Sequence, residues 1–391
     1  MKVGIIGCGK MGRGILSLFS ETPMEVTVLG RDSAEMDRQD RRWGKRLGRA
    51  VSSGMLDEAG LPRRRAALRF TTSWENLREC DLVIETISEQ FDAKVEVLRR
   101  AEETIAPQAV LTSNTSSLSI TRLAERLRDP TRFCGFHFFH PVQLTSIVEI
   151  ITAQRTAPRV VELLRKVSRD IGRRPLVMKD RSGSCVNVPL IFHCCEVMYI
   201  LEQGLASPSW MDNMVTGNVA RLGPCETIDA VGVPLFVDIL KRTITAFSAD
   251  QTVPELCHKL KRDGRFGKYA NQGVYTYRDD RPINDVAEYY LNVAQTHTPE
   301  GARSDEIGLY ERLVFPIYFW LLKVAQEGLG DLGDLCLGMG DICGLKLDPL
   351  EEMRKLGSKG LREVFDRLRD ELGPRFDCRP LEGIMATLDD R

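Results

Sequence analysis

The sequence predicts an α/β doubly wound domain followed by all-α domains, and three observations carry that reading. Short β-rich runs alternate with helix-length segments over roughly the first 180 residues. From Val188 onward such runs nearly disappear. A glycine-rich turn, Gly7-Cys8-Gly9-Lys10-Met11-Gly12, directly follows the first run and opens a helical pattern.

The expected strands, in order, are Val3–Ile6, Glu25–Leu29, Arg69–Thr71, Leu82–Thr86, Val110–Ser113, Phe133–Phe139, Ile147–Ile151 and Leu176–Met178. Runs such as Leu82-Val83-Ile84 suit strands of a parallel sheet covered on both faces. Between the first two strands, Met11, Ile15, Leu18 and Phe19 fall on one helical stripe. The texture changes at Ser182-Gly183, and Thr298-Pro299-Glu300-Gly301 reads as a break in a polar stretch. The expected domains are therefore residues 1–182, 183–298 and 299–391. The two helical blocks share a faint echo, Leu201-Glu-Gln-Gly-Leu-Ala206 against Ala325-Gln-Glu-Gly-Leu-Gly330. Phe315 to Leu322 is apolar all round, which predicts a buried helix.

Composition narrows the class. With 54 basic against 55 acidic residues the net charge is −1, so no global field recruits nucleic acid or a membrane. The longest dense apolar stretch, Leu313 to Leu322, is too short to span a bilayer and contains Pro316. Met1 leads into a strand rather than a signal peptide. Eleven cysteines without a C-x-x-C argue against a disulfide framework and a zinc ribbon. The expectation is a cytoplasmic, soluble, multi-domain protein.

In the glycine turn, Gly7 allows the tight bend, Gly9 lets a pyrophosphate approach the backbone, and Gly12 permits close helix–strand packing. The helix N-terminus offers free N–H groups and a positive dipole end to phosphate. With Lys10 and Met11, these residues form the expected cofactor-binding turn of a Rossmann-type dinucleotide domain. The second strand ends Leu29-Gly30-Arg31-Asp32. Arg31 at the selector position favours NADP through its 2′-phosphate; a register slip of one residue would give Asp32 the NAD role.

Two of only five histidines lie in His137-Phe-Phe-His140-Pro141, and Glu149 follows on the next expected strand. A histidine and a glutamate on neighbouring strands at one sheet edge suit a pair in which the carboxylate fixes the imidazole tautomer. A satisfied structural histidine is the alternative. No metal is expected from Cys134, His137 and His140, because alternate strand faces separate the histidines and a fourth ligand is missing.

The chain resembles the 3-hydroxyacyl-CoA dehydrogenase family. The resemblance rests on Ser113-Asn-Thr-Ser-Ser-Leu118, His137-Phe-Phe-His-Pro141 with Glu149, and Val186-Asn187 after Lys179-Asp180. It continues through Glu89 and Lys94, Gly223-Pro-Cys-Glu-Thr-Ile-Asp229, Gly264-Arg-Phe-Gly-Lys268 and Gly273-Val-Tyr275. It implies His137 as general acid and base, Glu149 as its orienting partner, and Ser116 and Asn187 as hydrogen-bond partners of the substrate oxygen. Glu89, Lys94 and the residue at His140 would contact the cofactor. Two departures stand out: His140 where the family has Asn, and Val188 where it usually has Arg.

Arg38, Arg41, Arg42, Lys45, Arg46 and Arg49 form a basic helical stripe after the second strand. By the resemblance, Arg42, Arg46 and Arg49 would meet the phosphates of an acyl-CoA, and the same surface would attract an acidic acyl carrier protein; a solvated helix face is the plain alternative. The expected activity is NAD- or NADP-dependent interconversion of 3-hydroxyacyl and 3-oxoacyl thioesters. A free 3-hydroxyacid dehydrogenase and a non-catalytic nucleotide-binding member remain open. The protein is expected to be a monomer or homodimer; in the monomer the appended helical block would substitute for a dimer partner.

Overall fold

Eight strands form one sheet in the order β3-β2-β1-β4-β5-β6-β7-β8. They are β1 (Lys2–Ile6), β2 (Glu25–Leu29), β3 (Leu68–Thr71), β4 (Leu82–Glu85), β5 (Val110–Ser113), β6 (Phe133–His137), β7 (Ile147–Thr152) and β8 (Arg174–Lys179). The structure, a computed structural model, describes residues 1–54, 57–181, 184–247, 249–285 and 305–389. The chain divides into two compact units, Met1–Ser184 and Cys185–Arg391. The texture change at Ser182-Gly183 and the break at Thr298–Gly301 lie outside the described residues.

All eight expected strands form. β1 to β6 are parallel, whereas β7 runs antiparallel to β6 and β8 parallel to β7. The Phe138–Ser146 connection is too short for the crossover that a parallel pair needs, so the chain turns straight back. β6 stops at His137 rather than Phe139, because the Phe138 N–H donates to the Asn114 side-chain Oδ1 at 2.8 Å instead of to a strand.

Helices cover both faces. On one side α1 (Lys10–Phe19), α2 (Ser33–Ser52) and α6 (Pro158–Asp170) bring Ile15, Phe19, Trp43 and Leu164 against Val3, Ile5, Phe136 and Val148. α3 (Leu61–Ala66) leads into β3. On the other side α4 (Phe91–Thr104) and α5 (Ile120–Ala124) bring Leu98 and Leu123 against Ile6, Val83 and Leu111. β4 and β5 are buried along their whole length, and each opens on apolar residues, Leu82-Val83-Ile84 and Val110-Leu111.

The second unit is largely helical. Its described residues include α7 (Val188–Glu202), α8 (Pro208–Asn218), α9 (Pro224–Val231), α10 (Val233–Ala246), α11 (Glu255–Arg262), α12 (Asp305–Gln326), α13 (Leu332–Cys343), α14 (Pro349–Leu372) and α15 (Glu382–Ala386). α7 packs on α12: Phe192 stacks on Trp320 with ring centroids 3.6 Å apart, and the buried Glu196 and Arg312 form an ion pair at 3.1 Å. Phe315 to Leu322 is buried, as its all-round apolarity predicts. Cys185–Glu202, not Leu313 to Leu322, is the longer apolar stretch; it has the length and apolarity of a membrane span, yet 67% of it is buried within the protein.

A hairpin absent from the sequence reading joins β9 (Tyr275–Arg278) to β10 (Arg281–Asp285). Its turn residues Asp279 and Asp280 take φ of 49° and 62°, the left-handed values a two-residue hairpin turn requires. The loop before it is held by two buried carboxylates. Asp229 accepts from the N–H groups of Val274 and Tyr275 at 2.6 and 2.8 Å, and Asp212 accepts from the Cys225 N–H and the Tyr275 hydroxyl, both at 2.8 Å. Gly223 and Gly273 leave room for these carboxylates; an added Cβ would lie 2.2 Å from Asp212 Cγ and 1.9 Å from Asp229 Oδ1.

The two helical blocks meet in a reciprocal way. α8 is capped by Ser207 and α9 begins at Pro224; α13 is capped by Asp331 and α14 begins at Pro349. The linking segments pair: the Arg221 N–H donates to the Gly344 carbonyl at 3.1 Å, and the Lys346 N–H to the Val219 carbonyl at 2.8 Å.

Candidate active site

The loops that follow β1, β4 and β5 and the end of β6 occupy neighbouring positions along the carboxyl edge of the parallel strands. The strand order reverses between β1 and β4, the place where open α/β sheets bind ligands. Of the site residues described below, all but Asn187 and Val188 belong to the first unit.

Gly7 turns at φ 105°, and its N–H donates to the Leu29 carbonyl at 2.9 Å. Thr86 Oγ1 buttresses the turn by donating to the Ile6 and Gly7 carbonyls at 3.1 Å. At Gly12 an added Cβ would lie 2.1 Å from the Gly7 carbonyl oxygen, so helix and turn touch only because that residue is glycine. At Gly9 an added Cβ would meet nothing within 4 Å. α1 has no side-chain N-cap and no acidic residue in its first turn. The open space before unneutralised N–H groups fits a pyrophosphate. Lys10 is exposed there, and Met11 packs partly against the core.

At the end of β2, Asp32 caps α2, its carboxylate accepting the Glu35 N–H at 2.8 Å. Arg31 is exposed beside it. On α2, Arg42, Arg46 and Arg49 are all exposed; the Arg46 guanidinium also donates to Ser17 Oγ at 2.7 Å and lies 4.6 Å from the Trp43 ring centre.

Lys94 is buried to 1% exposure, and its ammonium donates to both oxygens of the equally buried Glu85 at 2.8 and 3.0 Å. Burial pushes the Glu85 carboxyl up, against the pull of that ammonium. Glu89 Oε1 accepts from Thr115 Oγ1 at 2.6 Å and from the Ser116 and Ser117 N–H groups at 3.0 Å. Burial would raise this carboxyl, yet the Thr115 and Ser117 donors and the Lys94 ammonium hold it below the ordinary value. Glu89 thus clasps the loop carrying Ser116, whose own side chain is exposed.

His137 and Glu149 pair directly in the β6–β7 register, with Nδ1 2.7 Å from Oε2. The edge they occupy is a strand end, since β8 lies outside β7. A carboxylate only accepts, so Nδ1 carries the proton and Nε2 is the free basic nitrogen of the neutral ring. His137 is 5% exposed and Glu149 fully buried. His140 is exposed; desolvation and the neighbouring Lys10 charge push its imidazole below the ordinary value. Asn187 closes the short helical turn Cys185–Asn187 at the start of the second unit, and the buried Val188 begins α7. Cys134 is engaged elsewhere, its thiol 3.1 Å from the Ile151 carbonyl, and among the described residues no group of His, Cys, Asp or Glu is placed to hold a metal ion.

Sequence reasoning gave no role to four supporting residues, although Asn114 and Asp180 lie within the motifs it quoted. Asn114 caps the end of β6. Glu85 neutralises Lys94; a charged residue closing an apolar strand was its signal. Asp180 accepts from Ser119 Oγ at 2.6 Å and from the Ile120 and Thr121 N–H groups at 3.1 and 2.8 Å, fixing the start of α5. Ser184 donates its hydroxyl to Glu149 Oε1 at 2.8 Å.

Residues 2–181 match the family model described as 3-hydroxyacyl-CoA dehydrogenase, NAD binding domain, and residues 183–277 match that of its C-terminal domain. The chain belongs to the 3-hydroxyacyl-CoA dehydrogenase family. It is 32% identical over 283 residues to a 3-hydroxybutyryl-CoA dehydrogenase of Mycobacterium tuberculosis, covering 71% of this chain and 98% of that one. A fatty acid oxidation complex subunit alpha of Shewanella loihica is 28% identical over 384 residues, which span 96% of this chain but only 53% of that protein. In fold, the chain matches a crystal structure of 3-hydroxybutyryl-CoA dehydrogenase from Escherichia coli with a TM-score of 0.84 over 99% of its length and 98% of the other, at 23% identity.

Proposed function

We propose that this dehydrogenase-family chain interconverts a 3-hydroxyacyl thioester and its 3-oxoacyl form by hydride transfer with NAD or NADP, with His137 carrying the proton. The observation that carries the reading is the buried bond between His137 Nδ1 and Glu149 Oε2 at 2.7 Å. Hydride acceptance or donation is the chemistry that a nicotinamide bound at the glycine turn supplies. In oxidation the free Nε2 of His137 takes the 3-hydroxyl proton; in reduction the protonated ring returns it to the oxygen. Glu149 holds the ring orientation and stabilises the imidazolium. Ser116 and Asn187 hydrogen-bond the reacting oxygen or the thioester carbonyl, and Glu89 and Lys94 support the cofactor from beneath the Ser116 loop.

NADP is the preferred coenzyme in this reading. Asp32 has its carboxylate turned to the α2 N-terminus, which leaves the exposed Arg31 as the group for a 2′-phosphate. The exposed Arg42, Arg46 and Arg49 meet the phosphates of CoA or an acidic carrier protein bearing the acyl chain. His140 and Val188, which depart from the family, tune the pocket; the intact His137–Glu149 pair speaks against a non-catalytic member.

The domain reading of residues 1–182, 183–298 and 299–391 follows from the same family pattern. The reciprocal bonds between Val219–Arg221 and Gly344–Lys346 support a tandem helical copy that takes the place of a dimer partner. In this reading the protein is cytoplasmic. Steady-state oxidation of NADPH and NADH with acetoacetyl-CoA tests the activity. Turnover is expected, faster with NADPH; tight coenzyme binding without turnover of any CoA-bound or carrier-bound 3-oxoacyl chain overturns it.

A further inference from the structure

The carboxylate of Glu149 has two oxygens, and the acid–base mechanism uses one. Oε2 faces the His137 imidazole at 2.7 Å; Oε1 receives the Ser184 hydroxyl at 2.8 Å. Both residues are shielded from water, Glu149 at 0% and Ser184 at 5% exposure. The direction of the Ser184 bond is fixed, because a carboxylate oxygen only accepts. The same residue reaches a second part of the site: its backbone N–H donates to the Ser116 carbonyl at 3.1 Å.

We infer that Ser184 is a positioning residue for the His137–Glu149 pair, its hydroxyl fixing the carboxylate rotation and its amide tying that carboxylate to the Ser116 loop. The inference rests on the reading of His137 as proton carrier. A carboxylate held at only one oxygen can swing about its terminal torsion, which is broad and two-fold, and the imidazole swings with it. Held at both, it presents Oε2 in one orientation, and the Nε2 lone pair keeps a single direction. The hydroxyl also draws off part of the carboxylate charge. Without it more of that charge faces the imidazole and holds its proton more tightly. Of the other charged groups on the surrounding elements, Arg174 and Lys179 sit at the two ends of β8, where Leu176 is the residue paired with Glu149. Asp180 is engaged with Ser119, Ile120 and Thr121, and Glu85 with Lys94.

The test compares wild type, Ser184→Ala and Ser184→Thr in kcat, KM and the pH profile of oxidation. Losing one hydrogen bond to a charged group is expected to lower kcat about ten-fold in Ser184→Ala, with KM for the thioester changed less than about two-fold. The acidic limb of its profile moves to higher pH by about half a unit, the sign that follows from a base holding its proton more tightly. Ser184→Thr, which keeps the hydroxyl, recovers most of the rate and the original limb. A wild-type profile in Ser184→Ala, or equal losses in Ala and Thr, overturns the inference. Should Ser184→Ala fail to fold, Ser184→Cys, similar in volume and a weaker donor, is read by the same criteria. If wild type turns over no thioester, the functional reading falls instead. The positioning role is then read from the NMR titration of the His137 ring, which moves in Ser184→Ala if it holds and stays put if it does not.

Discussion

His137 and Glu149 stand opposite each other where the sheet changes direction, paired across the antiparallel junction of β6 and β7 with Nδ1 2.7 Å from Oε2. The geometry depends on the tight return of the chain through Phe138–Ser146. A right-handed crossover would have placed the next strand parallel and put a different residue beside the histidine. Because both side chains are buried, neither is free to find another partner in bulk water.

Glu149→Gln is expected to lower kcat about a hundred-fold or more, since the amide neither fixes the tautomer nor supports the imidazolium. Coenzyme affinity stays unchanged, because Glu149 lies outside the glycine turn. Pre-steady-state turnover alongside a coenzyme fluorescence titration checks both halves. A variant that loses coenzyme binding and turnover together would place Glu149 in the cofactor site.

Arg31→Ala is expected to raise KM for NADPH about ten-fold, the worth of a charge-assisted contact to the 2′-phosphate, and to leave NADH unaffected. Asp32 keeps its cap on α2 in the variant, so stability is unchanged. Equal effects on both coenzymes in steady-state kinetics would contradict the selector role.

The glycines of the first turn differ in what they tolerate. Gly12→Ala forces a Cβ to 2.1 Å from the Gly7 carbonyl, whereas Gly9→Ala enters open space. The first is expected to cost about 1–3 kcal/mol and the second little, read as urea midpoints of the free protein. With coenzyme present the order of harm changes, because the Gly9 methyl occupies the path of the pyrophosphate. Equal stabilities for the two variants would refute the packing account.

Much of this was legible in the sequence, for physical reasons that can be traced. Strands buried on both faces read as apolar runs, so β4 and β5 were found to within a residue. The glycine turn was visible because its spacing answers steric demands on the backbone itself. Strand direction was not legible: nothing in the pattern of β7 distinguishes a parallel from an antiparallel neighbour. The β9–β10 hairpin escaped because its turn is Asp279-Asp280 rather than a glycine-bearing pair. Among the exposed arginines of α2, spacing did not single out Arg46 as the one bonded to Ser17. The Ser184–Glu149 bond joins residues far apart in sequence and leaves no periodic trace.

Burial pushes the Asp212 carboxyl up to about 6, despite the N–H donors of Cys225 and Glu226 and the Tyr275 hydroxyl. An ordinary unfolded aspartate lies at about 3.9. A folded value above the unfolded one means a stabilising contribution present in full below the unfolded value and lost as pH rises through about 6. Relative to Asp212→Asn, wild type is therefore expected to gain stability as pH falls from about 7 to about 4, by up to about 3 kcal/mol. Paired urea unfolding curves across that range check this; a difference that does not vary with pH would contradict it.

The most direct measurement compares wild type with His137→Gln in the oxidation of NADPH by acetoacetyl-CoA, together with NADPH binding. Substitution of the proton carrier is expected to lower turnover about a hundred-fold to ten-thousand-fold while coenzyme affinity holds. A His137→Gln variant that turns over at the wild-type rate would contradict the central claim that His137 carries the proton.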